Sequence, residues 1–194
     1  MAMLNRRGFC HAAAAQLALA AMPRRAAATL ARLDAAPSPV AAVLYDERFA
    51  DAREFATALS ATGATPFPIA RGSGALWYGA LAALLRRQGA RVAGMATASE
   101  RMIAISCGRE MGLRPLFEGA HDGRASEGVA HSYRLQGAPA SLIELTGSRE
   151  PPSPGRLAEM LSHIQGDPQD CHEFARLGPK RNDHPGYLTS WLVG

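Results

Sequence analysis

From residue 40 onward the chain alternates short apolar runs with longer amphipathic stretches. Val40 to Tyr45 is apolar throughout, the pattern of a strand covered on both faces. Asp51 to Thr62 has helical spacing. Phe55 and Leu59 form an i,i+4 apolar pair, Asp51 with Glu54 three residues on reads as a capping box, and Gly63 closes the helix. Thr65 to Ala70 is a second strand, and Pro66 and Pro68 place it at a sheet edge. Gly72-Ser73-Gly74 opens a helix running to Gln88, with Ser73 as its cap and Trp77, Leu81, Leu84 and Leu85 on its inner face. Arg91 to Ala96 is a third strand. Thr97 and Glu100 make a second capping box, for a helix from about Ser99 to Met111 with Ile103, Cys107 and Met111 on one stripe.

Strand followed by helix, three times over at a spacing of about 25 residues, argues βαβ units with right-handed crossovers. Leu113 to Glu118 is a fourth strand. Val129 to Leu135 and Ser141 to Thr146 are strand-like, with Gly137-Ala138-Pro139 between them, and read as an antiparallel extension. Glu150 to Gly155 is a stiff, proline-rich break. Leu157 to Gln165 and Gln169 to Leu177 read as two short helices. The tail from Gly178 to Gly194 reads as irregular, with Tyr187, Leu188, Trp191 and Leu192 able to dock on the body. The expected fold is α/β in three layers: a mainly parallel sheet of βαβ units, an antiparallel extension and two short C-terminal helices. The α/β body spans 40–148, and 149–194 packs on it.

The first residues follow a different pattern. Asn5-Arg6-Arg7-Gly8-Phe9 precedes a mildly apolar run from Ala12 to Met22, then Pro23, Arg24, Arg25 and Ala26-Ala27-Ala28. A basic start, a short apolar centre and small residues at its end describe an export signal. The run is about 11 residues, or about 16 Å as a helix, too short to span about 30 Å of hydrocarbon. The segment resembles the bacterial twin-arginine (Tat) signal: a polar residue, Arg6, Arg7, any residue and Phe9. Cys10 and His11 stand where Leu and Lys are usual. The resemblance covers residues 1–28 and implies engagement of the Tat translocase and a periplasmic destination. Cleavage fits after Ala20 or after Ala28. Arg24 and Arg25 beyond the apolar run leave an uncleaved anchor as the alternative. Residues 29–39 read as a linker ending in Pro37-Ser38-Pro39.

Setting the signal aside changes the charge picture. The whole chain of 194 residues carries 21 basic and 17 acidic side chains, a net +4. Residues 1–28 hold Arg6, Arg7, Arg24 and Arg25 and no acid, so the rest is formally neutral. A nucleic-acid partner therefore loses its electrostatic support. Lys180 is the only lysine, so arginine is the default cation here and a weak sign of phosphate recognition. With three cysteines and 47% hydrophobic residues the chain builds a real core rather than a disulfide framework.

Open α/β sheets bind ligands beyond the carboxyl ends of their strands. Those ends bring together Asp46, Glu47 and Arg48 after strand 1, Arg71 and Ser73 after strand 2, Thr97 and Ser99 after strand 3, and His121 and Asp122 after strand 4. The starts of the helices at Ser73 and Thr97 offer free backbone N–H groups that suit an anion, though plain capping accounts for them equally well. No G-x-G-x-x-G follows the first strand, no G-x-x-x-x-G-K-[ST] occurs, and C-x-x-C-H is missing, so the motifs for NAD(P), P-loop nucleotides and haem c are absent. No metal-ligand spacing such as C-x-x-C or H-x-x-x-H is present. His121 and His131 could meet across a strand pair, with solvated or core histidine as the plain alternative. Ser73, His121 and Asp122 allow a Ser–His–acid set to be drawn on the rim. Trp77 and Tyr78 are candidates to line a pocket. Cys107 and Cys171 remain as an even pair once Cys10 leaves with the signal, which permits one disulfide in an oxidising compartment. Two readings follow. One is a non-enzymatic module, either a small-ligand binder or an accessory subunit. The alternative is a small hydrolase working with the rim residues.

Overall fold

The computed structural model describes residues 40–69, 72–86, 90–124, 126–136, 150–164, 171–179 and 186–194. Arg6, Arg7, Phe9, Arg71, the linker at 29–39 and the expected strand at Ser141 to Thr146 lie outside the described residues. The fold is α/β. Its elements in chain order are β1 (Val40–Tyr45), α1 (Ala50–Ala61), β2 (Thr65–Pro68), α2 (Gly74–Tyr78), α3 (Ala80–Leu85), β3 (Arg91–Ala96), α4 (Ala98–Glu110), β4 (Pro115–Asp122), β5 (Val129–Gln136), α5 (Pro154–Ser162), β6 (Cys171–Gly178) and β7 (Tyr187–Val193). The sheet has the order β2-β1-β3-β7-β4-β5-β6. β2, β1 and β3 pair in parallel, and every later ladder is antiparallel.

The chain steps from β1 outward to β2 and then back past β1 to β3. Two right-handed crossovers in opposite directions must lie on opposite faces. Accordingly α1 packs on one face, where Phe55 and Leu59 meet Val43, Ala93 and Met95. α2, α3 and α4 pack on the other, where Trp77, Leu81 and Cys107 meet Leu44, Val92 and Trp191. α5 joins α1 through Leu157 and Leu161. Full burial of each large apolar side chain contributes about 1.5–3 kcal/mol.

Three expectations are corrected. From Cys171 on, the expected helix over 169–177 is the edge strand β6, so among the described residues the C-terminal region has one helix, α5, and not two. Glu, Ala, Arg and Leu favour a helix there, but Phe174 gains a ring contact with Tyr133 only when the segment extends beside β5. The irregular tail is β7, a central strand inserted between β3 and β4. The helix expected from 74 to 88 breaks at Gly79 into α2 and α3. Gly94 fixes the middle of the sheet. A Cβ there would stand 2.1 Å from the Trp191 ring, which lies across it from the neighbouring strand.

The disulfide is also corrected. Cys107 is buried on α4 beneath Trp191, while Cys171 is exposed at the start of β6, and both are free. β6 lies three strands from β7, about 14 Å across the sheet at ordinary strand spacing. Bridged Cα atoms lie within about 7 Å.

Candidate functional site

The expected rim forms at the carboxyl ends of β1, β3 and β4, but its members separate into distinct clusters. Asp46 ends β1, is 1% exposed, and accepts from Arg48 Nε at 2.8 Å and Nη2 at 2.6 Å. The Arg48 hydrogen bonds hold the Asp46 carboxyl below its ordinary range. Glu47 is exposed, and its carbonyl accepts from Arg53. Asp122 binds Arg124 in the same fork, at 2.8 and 2.7 Å. Both arginines also lie over a neighbouring aromatic ring, Phe49 and Tyr187. The Thr97 and Ser99 hydroxyls bond one another at 3.0 Å.

Neither capping box closes on itself. Glu100 instead accepts from the Ser73 backbone N–H at 2.9 Å, and Glu54 accepts from that of Gly155 at 2.9 Å. Ser73 heads α2 on the face opposite the His121 imidazole, so the drawn Ser73–His121–Asp122 set is not assembled. Trp77 is core, and Tyr78 is 66% exposed with its hydroxyl on Glu110. That bond, with the Cys107 thiol nearby, pushes the Tyr78 phenol up to about 12.

His121 is the rim residue that reaches a cavity. Strand alternation turns Phe117, Gly119 and His121 to the α1 face, with Asp122 on the other. In the β4–β5 ladder His121 stands directly opposite His131, and their Nδ1 atoms are 2.8 Å apart. The ring centres are 5.0 Å apart, so each Nδ1 points at the other along the line joining the rings. One Nδ1 therefore donates and the other accepts. On the far side, His121 Nε2 is 2.9 Å from Ser190 Oγ. Tyr133 lies beside both rings, stacked on His131 and edge-on to His121. Its hydroxyl has no hydrogen-bond partner among the described residues, and burial pushes its phenol above the ordinary range.

Two glycines clear the space for this chain of polar groups. A Cβ on Gly119 would stand 2.3 Å from Ser190 Oγ, and one on Gly178 would stand 2.9 Å from His131 Nε2. Ser190 is hidden in the sequence because Tyr187 to Val193 reads as tail. The signals that mark this network are a serine inside an apolar run and glycines inside strands.

The cavity measures about 340 Å³, the lower part of the range for small-molecule sites. Its floor is Met95, His121, Val129, His131 and Leu188, from four neighbouring strands. Asp51 and Glu54 from the first turns of α1 form one wall, and Pro179 after β6 another. The stiff segment Glu150–Pro154 crosses as a strap. Ser153 anchors the strap by capping α5, accepting from the Arg156 N–H, and the Gly155–Glu54 bond ties it to α1. Among the described residues, no group of three or more metal-ligating side chains converges, and no helix is long and apolar enough to cross a membrane. Protein-family models, curated proteins and solved structures contain no match to this chain.

Proposed function

We propose that this chain is a periplasmic protein, exported by the twin-arginine route, whose α/β domain binds a small molecule without transforming it. The observation that carries the binding reading is the cavity at the carboxyl ends of the strands, lined by apolar side chains and a few acidic ones, with a pair of imidazoles in its floor. The serine hydroxyls near it favour binding over nucleophilic catalysis. Ser190 is fully buried against His121, Ser153 caps α5, and Ser73 lies on the opposite face. The signal-like segment around Arg6 and Arg7 supports the route.

Native mass spectrometry on protein recovered from the periplasm tests both halves. The expected result is a one-to-one small-molecule adduct on the wild type that is lost in Pro152→Trp, which puts a bulky ring into the cavity lining. A bare wild-type protein overturns the binding reading. For the route, lysines at Arg6 and Arg7 together are expected to leave the protein in the cytoplasm. Unchanged export of that variant overturns it.

A further inference from the structure

We infer that the His121–His131 pair makes this cavity proton-sensitive, so that its floor rearranges when the pair takes up its second proton. The inference rests on the binding reading only for its consequence, namely that ligand is released in acid. Its physical basis is the nitrogen-to-nitrogen contact itself. With both rings neutral, or with one extra proton on the pair, one Nδ1 donates to the other and the 2.8 Å bond persists. With two extra protons each Nδ1 carries a hydrogen. Two donors and two positive charges then face each other, and the rings must part.

The surroundings decide which ring moves. His121 is 5% exposed and is bonded to Ser190, which sits in the space left by Gly119. His131 is partly exposed and lines the cavity, and its Nε2 lies over Gly178. His131, the more exposed of the two and the one on the open side, is therefore the ring with room to move, and the cavity floor changes with it. Among the described residues, charged and titratable groups face the pair from α1, the strap and the neighbouring strands. Asp51 and Glu54 face it from α1 and Glu150 from the strap. Arg176 stands opposite His131 in the β5–β6 ladder, and Tyr133 lies beside both rings. Carboxylates on the cavity wall favour uptake of the first proton, while the pair's own geometry opposes the second.

The test is a pH titration of the full chain from 8 to 4, following imidazole nitrogens and methionine methyl groups by NMR. Met95 lines the cavity floor and is assigned with Met95→Leu. The expected result is that His121 and His131 titrate together in two steps about one pH unit or more apart. The Met95 methyl should shift with the more acidic step. In His131→Phe, or His131→Asn if the first does not fold, His121 should titrate in a single step and Met95 should stay still. Independent single steps for the two histidines in the wild type overturn the coupling. Coupled steps with a stationary Met95 overturn the link to the cavity. Neither readout needs a ligand, so failure here is distinct from a bare protein in the mass spectrum.

Discussion

At the scale of single residues, the fold buries two charged groups, Arg91 and Asp46, and gives each specific partners. Arg91 is 4% exposed, yet its guanidinium reaches the carbonyl oxygens of Ser162 and Ile164 at the end of α5. There it meets the negative end of the helix, which favours a cation. Asp46 shows the same logic with the opposite charge. Its folded-state carboxyl titrates below the ordinary value because Arg48 binds it. A lowered carboxyl contributes stability above the unfolded value, near pH 4, and loses it as pH falls through the folded value. Asp46→Asn removes that contribution at every pH. The stability gap between wild type and Asp46→Asn, measured by urea unfolding, should therefore be constant from pH 8 to 5 and narrow below about pH 4. A gap that widens in acid would contradict the Arg48 assignment.

At the scale of elements, the sequence was informative where structure is local and misleading where it is not. The β1–α1–β2 unit carries its own instructions. The apolar run of β1 and the Phe55–Leu59 pair place strand and helix, and Pro66 and Pro68 keep β2 at the edge. β7 carries no local instruction about its neighbours. Tyr187-Leu188-Thr189-Ser190-Trp191-Leu192-Val193 becomes a central strand because β3 and β4 flank it, and Thr189 donates to the Ala96 carbonyl. Glu54 and Glu100 misled for a related reason. Their spacing fits a capping box, but in the fold each binds a backbone N–H far along the chain. Leu192 tests the central role of β7. It pairs with Ala93 on one side and Phe117 on the other, so its N–H faces a neighbouring strand whichever way it points. Proline there removes a ladder bond and leaves the facing carbonyl unsatisfied, at about 1–3 kcal/mol, and losing the buried leucine adds about 2–5 kcal/mol. That sum reaches the margin of an ordinary domain, about 5–15 kcal/mol. Leu192→Pro should show no cooperative thermal transition by circular dichroism. Retention of a wild-type transition would mean that β7 is peripheral.

At the scale of the molecule, the site is where the two halves of the sheet meet. The parallel half supplies Met95 and the carboxyl-end crevice, and the antiparallel half supplies His121, His131 and Leu188. Strand positions were legible in the sequence, because alternation within strands is local; the histidine pair was only half legible, because strand 4 reads as ending at Glu118 while β4 runs on to Asp122. The strap, Ser190 and the cavity were not, because they depend on β7 and α5 arriving from far along the chain. The same geometry decides the cysteines. A disulfide would have tied α4 to β6, but the body of the sheet separates them and the fold is held without it. With Cys10 replaced by serine, the folded protein should therefore show one thiol, Cys171, that reacts promptly with an aromatic disulfide reagent. The other, Cys107, is covered by the core around Trp77 and Trp191 and should react only as fast as the domain opens. Denaturant should bring both to the same rate. If monomeric protein recovered under oxidising conditions and carrying no thiol adduct shows no reactive thiol in denaturant before reduction, the two cysteines have met. The sheet order that places β6 three strands from β7 would then have to be redrawn.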